Sequence, residues 1–232
     1  MKTLLVRDLE ALADPKKAAF FPSFFKTGKG EYGEGDVFIG ITVPQIRSVA
    51  KKHRLLSLRD IETCLKDKRH EVRLCALLIL VDQFKKGDAA IKKTIYEFYL
   101  DHLQWVNNWD LVDSSAYHIV GEYLQDKDRK ILRKLAKSKH LWTERVAIVS
   151  TFAFIRKGQL NDTFEIAEIL LAHPHDLLHK AVGWMLREAG KCNPVALKRF
   201  LDENAMVMPR TMLRYAIEKF DEKTRKMYLL MK

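Results

Sequence analysis

Trp109 and Asp113 stand four residues apart in the segment Trp109-Asp110-Leu111-Val112-Asp113. On a helix that spacing puts an indole and a carboxylate on one face. A flat ring beside a fixed negative charge suits a sugar or base that carries positive charge, since the ring attracts through its π face and the acid through its charge. The chain around them is basic, with 41 Lys and Arg against 30 Asp and Glu and a formal net charge of +11. The surplus is sorted: residues 126–160 hold ten basic residues against three acids, and residues 187–232 hold eleven against six. Such sorting is the electrostatic footprint of a phosphate backbone, although composition alone fits a generally basic protein equally well. An acid on the binding face of a chain built to attract polyanions asks for a chemical reason.

Two later segments add to this pair. Arg145 sits near the start of a basic-flanked helix in Trp142-Thr143-Glu144-Arg145-Val146-Ala147-Ile148. Trp184 and Arg187 are three apart in Lys180–Arg187, with Gly183 read as removing bulk beside the indole. Trp109, Arg145 and Trp184 are separated by 36 and 39 residues, about one helical repeat each, so stacked repeats are expected to bring all three onto one wall. Each also has a plainer reading. Asp113 serves equally as a helix cap or ion-pair partner, a lone Trp109 as core, and Arg210 and Arg214 as ordinary exposed arginines. Asp110 is adjacent to Trp109 in sequence but points about 100° away on a helix, and is left out of the site.

The elements that must position these residues are helical. Apolar residues recur at helical period and convincing strand alternation is absent. Helices are expected over Glu71–Lys86, Ala89–Leu100, Asn108–Leu124, Trp142–Lys157, Phe164–Ala172 and Leu177–Glu188, with a further one capped by Ser57. Gly87, Gly158 and Gly190 look like successive helix ends, 71 and 32 residues apart, which suggests helical pairs at a period near 35. An irregular bundle with glycine C-caps gives the same signs. The expectation is an all-α solenoid running through residues 1–232 as a single domain.

Other chemistries are argued against. Gly28-Lys29-Gly30-Glu31-Tyr32-Gly33 fits the dinucleotide pattern, but that pattern works only between a strand and a helix of a parallel sheet, so it reads as a flexible glycine loop. His173, His175 and His179 cluster around Pro174 without carboxylates at metalloprotease spacing, and His70-Glu71 lacks the second histidine of HExxH, so no metal is expected. Cys64, Cys75 and Cys192 are odd in number and far apart, and Cys75 lies in the apolar run Leu74–Val81. They point to a reduced, cytoplasmic protein without disulfides. The first eight residues carry charges where a signal peptide needs apolar ones, and the longest apolar run, eight residues, is too short for a membrane span.

In their order and spacing, Phe38-Ile39-Gly40-Ile41-Thr42-Val43-Pro44, Trp109–Ser114, Trp142–Ile148 and Lys180–Glu188 resemble the bacterial DNA-alkylation-repair glycosylases of the AlkD type, over nearly the whole chain. The resemblance implies a right-handed α-solenoid of stacked HEAT-like helical pairs with a concave basic face for DNA. It implies hydrolysis of the N-glycosidic bond of positively charged N3- and N7-alkylated purines in double-stranded DNA, by a monomer that needs no cofactor and no obligate protein partner. Position by position, the catalytic acid falls on Asp113, the two indoles of the lesion-facing cleft on Trp109 and Trp184, and the phosphate-contacting arginine on Arg145. Arg187 becomes a further basic contact, and Lys180, Arg210 and Arg214 complete the expected phosphate grip. Phe24 stands where members of the group carry a tyrosine, so a DNA-contacting ring is kept and a phenolic hydrogen bond lost.

The chemistry suits these residue types. An alkylated purine cation is already a good leaving group and needs no acid to protonate it. Positive charge then builds on the deoxyribose, where a carboxylate stabilises it and orients water. The resemblance further implies work on the lesion within the duplex, without the usual base flipping. Two other readings stay open, a catalytically silent DNA-binding member of the same fold and a HEAT-type protein-interaction scaffold.

Overall fold

A computed structural model describes residues 4–231. Its regular elements are helical, as expected, and the only extended pairing among the described residues is a single bridge between Val37 and Arg69. By contact the chain divides into two compact units, residues 1–115 and 116–232.

The first unit contains α1 (Leu4–Glu10), α2 (Pro15–Phe24), α3 (Val43–Lys52), α4 (Leu58–Leu65), α5 (His70–Lys86), α6 (Ala89–Asp101), a 3₁₀ turn over Leu103–Trp105, and α7 (Trp109–Ala116). Local chemistry sets the starts. Asp14 accepts the N–H groups of Lys16 and Lys17 ahead of α2, with Pro15 in the first turn. Thr42 and Gln45 form a capping box for α3, and the Ser57 hydroxyl accepts the Asp60 N–H to open α4. The apolar run Leu74–Val81 makes α5 buried on every side, and α3, α4 and α6 pack around it. A helix apolar all round belongs in the middle of its neighbours. By contrast α2 buries none of its residues and leaves Phe20 and Phe24 exposed.

The second unit opens with a π-helical turn over Tyr117–Gly121. It continues through α8 (Lys130–Ala136), α9 (Leu141–Ser150), α10 (Phe152–Ile155), α11 (Asn161–Ile169), α12 (Asp176–Cys192), α13 (Pro194–Asn204), α14 (Arg210–Ala216) and α15 (Glu222–Leu230). α12 is the central helix, packed on α9, α10, α11, α13 and most extensively on α14. That last contact is close because Gly183 has no side chain: a Cβ there would lie 2.5 Å from the Met212 carbonyl oxygen and from Tyr215 Cβ. The clearance expected beside the Trp184 indole is therefore clearance for α14.

Besides displaced ends, such as α11 over Asn161–Ile169 where Phe164–Ala172 was expected, the expected helices differ from the observed ones at three points. The segment Asn108–Leu124 is α7 followed by the π turn, so side chains beyond Ala116 fall out of phase with an ideal helix. The segment Trp142–Lys157 breaks at Thr151, whose hydroxyl donates to the Ile148 carbonyl. Gly190 does not end a helix; it lies within α12, where Leu197 of α13 packs against it. Of the three glycines, Gly87 caps α5 and Gly158 lies in the turn beyond α10 at φ +72°, so the glycine spacing overstated the regularity of the repeat.

Candidate active site

The two groups of expected site residues lie in different units, and each unit builds its own group. In the first, Trp109 opens α7 and Asp113 follows one turn later on the same helical face, both half-buried. The indole is braced by aromatic rings. Phe25 stacks on it with centroids 5.6 Å apart and planes 15° from parallel, and Phe24 meets it edge-on at 6.1 Å. Phe24 thus touches a site residue while 54% of its own surface is exposed. Behind Asp113, the buried Tyr99 hydroxyl bonds the Ser115 hydroxyl at 2.8 Å, and Ser115 donates to the Leu111 carbonyl. Burial, followed by the negative charge of Asp113, pushes the Tyr99 phenol well above its ordinary range, so Tyr99 stays a neutral hydrogen-bonding group.

The start of α7 is held by polar groups that sequence reasoning passed over. His70 is 2% exposed and lies between two carboxylates, its Nδ1 3.0 Å from Asp36 Oδ2 and its Nε2 2.8 Å from Asp110 Oδ2. Asp36 also accepts from Arg73 and, at 3.2 Å, from the Asn108 amide. The Asn108 and Asp110 side chains accept the N–H groups of Trp109 and Leu111, two of the orphan donors of the first turn. Burial alone would lower the His70 pKa. The charge and hydrogen bond of Asp110 and the hydrogen bond of Asp36 override it, and the ring is raised to about 9. For Asp36, burial is likewise outweighed, here by His70 and Arg73, and its carboxyl sits below the ordinary range.

The next residue anchors the loop that carries part of the resemblance. The buried Glu71 carboxylate accepts the backbone N–H groups of Ile39, Gly40 and Ile41, the shortest at 2.8 Å from Gly40. Gly40 has φ +85°, and a Cβ there would strike the Asp14 carbonyl at 2.1 Å, so only glycine allows this loop to close against the start of α2. The loop over Gly28–Gly33 uses its own acids: Gly28 and Gly30 donate to Glu31 and Glu34, and the segment follows α2 rather than a strand. The amides a dinucleotide would need are already engaged.

In the second unit Trp184 is half-buried on α12, with Phe152 at 5.9 Å and Tyr117 edge-on to Phe152 at 5.2 Å. Arg145 is 5% exposed, and its Nη1 donates to the Leu177 carbonyl at 2.6 Å, tying α9 to the start of α12. Lys180 pairs with Asp176 at 2.7 Å, and Arg187 pairs with both Glu218 and Glu188. Arg210 donates to the Leu229 carbonyl, while Arg214 is exposed one turn further along α14. Each expected basic contact other than Arg214 is thus already bonded within the chain.

The three clustered histidines have local work. His175 Nδ1 accepts the Leu177 N–H and caps α12, and His173 Nδ1 accepts the His175 N–H. His179 donates to the His173 carbonyl. Burial, then the nearby His173, keeps the His175 pKa below its usual value, which suits a ring that must accept. Among the described residues no group of three His, Cys, Asp or Glu is arranged to hold a metal ion, and no helix is long and apolar enough to cross a membrane. None of the three cysteines forms a disulfide, and burial pushes the Cys75 thiol up to about 12.

Among the described residues the elements are helices packed largely on their sequence neighbours, with no sheet, which places the chain in the all-α class and agrees with a helical-repeat fold. A solved structure of the same fold, described as a predicted DNA alkylation repair enzyme from Enterococcus faecalis, aligns with a TM-score of 0.70 at 17% identity, covering 90% of this chain and 97% of that one. No curated protein matches the chain in sequence. The chain belongs to the DNA alkylation repair enzyme family, whose pattern it matches over residues 5–220. Its role accordingly lies in the repair of alkylation damage to DNA.

Proposed function

We propose that this protein is a DNA glycosylase that releases positively charged N3- and N7-alkylated purines from double-stranded DNA. The reading is carried by the shared face of Trp109 and Asp113 on α7, with the indole braced by Phe25 and Phe24. A rigid indole offers cation–π attraction of about 0.5–2 kcal/mol to a cationic base or to the sugar as charge develops on it. Asp113 stabilises the oxocarbenium-like transition state and orients the attacking water, and the leaving base needs no protonation. Trp184 supplies the second indole, and Arg145, Lys180, Arg187, Arg210 and Arg214 the phosphate contacts. The lesion is processed within the duplex, by a cytoplasmic monomer that needs no cofactor.

Base release from duplex DNA carrying N7-methylguanine tests this, with wild type set beside Asp113→Asn. Wild type is expected to release the base, and the variant to lose about 100-fold or more in rate. Its binding to undamaged duplex should be unchanged or tighter, because a negative charge facing DNA is gone. Equal release by both would sink the role of Asp113. Release by neither, with steeply salt-dependent DNA binding preserved, would leave a catalytically silent binder in its place.

A further inference from the structure

The group in the first unit that the chemistry above leaves unused is the buried His70. A neutral imidazole carries one N–H and one lone pair, so between two carboxylates it satisfies one and repels the other. With both ring nitrogens within 3.0 Å of carboxylate oxygens, the arrangement needs both to carry protons. His70 also opens α5, where the positive end of the helix dipole disfavours a cation. The two acids have to outweigh that cost, and they come from outside the helix, Asp36 from the loop between α2 and α3 and Asp110 from α7. Arg73, one turn along α5, is the opposing charge in the cluster and is itself engaged with Asp36. Glu71 faces away, into the N–H groups of Ile39–Ile41.

The imidazolium reaches the candidate site by two routes. Through Asp110 it fixes the first turn of α7, one residue from Trp109 and three from Asp113. Through its ring it meets Phe25 and Phe38, each with centroids 4.8 Å away, and Phe25 is the ring on which Trp109 stacks. We propose that His70, held as an imidazolium between Asp36 and Asp110, is a positioning residue for the site, and that its proton sets the placement of Trp109 and Asp113. Loss of that proton removes the Asp110 or the Asp36 contact, and with it the tether on α7 or on the loop that carries Asp36. The inference deepens the glycosylase reading and rests on it for its link to activity. The placement of Trp109 stands independently of that reading.

The test follows two signals by NMR in the full chain, the ring nitrogens of His70 and the indole N–H of Trp109, as pH is raised, in wild type and in Asp110→Asn. The asparagine keeps the shape of the contact and can donate to a neutral ring, so it removes only the demand for the second proton. Wild-type His70 is expected to remain doubly protonated through neutral pH and to titrate near 9, with the Trp109 signal moving at the same midpoint. In the variant both midpoints should fall together by about one pH unit or more. The alkaline limb of base release should move with them, carried in kcat rather than KM. A His70 ring that is neutral at pH 7 in wild type, or a Trp109 signal that ignores the titration of His70, would overturn the inference. An alkaline limb unmoved in Asp110→Asn would do the same. If wild type releases no base at any pH, the glycosylase reading fails, and the two NMR signals still decide whether His70 positions Trp109.

Discussion

Phe25 lies flat against Trp109, so one face of the indole is occupied before any substrate arrives. Phe38 stacks in turn on Phe25 at 4.8 Å and 21°, which makes the indole the outer member of a three-ring pile. A ring fixed in this way loses little side-chain entropy on binding, which is what a platform for a cationic base requires. Phe25→Leu should remove about 0.5–1.5 kcal/mol of ring–ring interaction and free the indole to change rotamer. The expected outcome is a modestly lower urea midpoint together with lower fluorescence anisotropy of the tryptophans. An unchanged anisotropy would show that Phe25 does not hold Trp109.

Gly183 gives a prediction that separates two roles. If it cleared space for the Trp184 indole, adding a methyl group would disturb DNA binding and spare stability. A Cβ at 183 instead meets backbone and Cβ atoms of α14, which cannot swing aside as a long side chain does. Gly183→Ala should therefore destabilise the second unit by about 1–3 kcal/mol, the usual cost of overpacking. Thermal denaturation reads this directly, and an unaltered transition would mean that α12 and α14 do not pack as closely as described.

Arg145 and Arg214 were expected to do the same job, and their surroundings differ. Arg145 is buried with its guanidinium on the Leu177 carbonyl, whereas Arg214 is exposed on α14. Arg145→Ala is expected to weaken DNA binding and activity and also to cost about 1–3 kcal/mol of stability, by removing the buried hydrogen bond that ties α9 to α12. Arg214→Ala should stay within about 0.5 kcal/mol of wild type. If Arg214 meets a phosphate, the same change should reduce the slope of log K against log salt by about one. Denaturation and salt-dependent binding of the two variants, measured side by side, check both statements.

How much of this was legible in the sequence depends on the kind of signal. The helices around Glu71–Lys86 and Leu177–Glu188 were readable because burial on a helix imposes a period on apolar residues, and Ser57 was readable because capping is local. Trp109 and Asp113 were readable because their relation is four residues of one helix. His70, Asp36 and Asp110 were not, since their contact joins residues 34 and 40 positions apart and leaves no periodic trace. One local sign was present: α5 opens with His70, Glu71 and Arg73, three polar groups ahead of an apolar run, and all three are buried. Buried polar groups need partners, so such an opening asks where the partners are. Asp110 was set aside because it points about 100° away from its neighbour Trp109 on the helix, and in the structure its carboxylate is turned to His70. The bonding of Arg187 to Glu218 was likewise hidden, 31 residues apart between α12 and the turn after α14.

The His70 cluster also fixes how stability should vary with pH. The His70 pKa is raised from 6.5 to about 9, so the folded chain holds this proton more tightly than the unfolded chain does. The resulting stabilisation is complete below pH 6.5, declines as pH rises, and is gone above about 9; the gap corresponds to about 3 kcal/mol. His175 works in the opposite sense, because its lowered pKa costs stability only as pH falls below 6.5. Asp36, held below its ordinary value, contributes above about pH 4 and loses that contribution only in acid. Cys75, raised from 9.0 to about 12, begins to lose its own contribution only as pH nears 9, so the window from 6.5 to about 8 reports on His70. Urea denaturation across it should show a falling midpoint in wild type and a nearly level one in His70→Gln, whose amide does not titrate. A level wild-type curve would mean that the ring is not held as an imidazolium, and the two carboxylates would then need another partner between them.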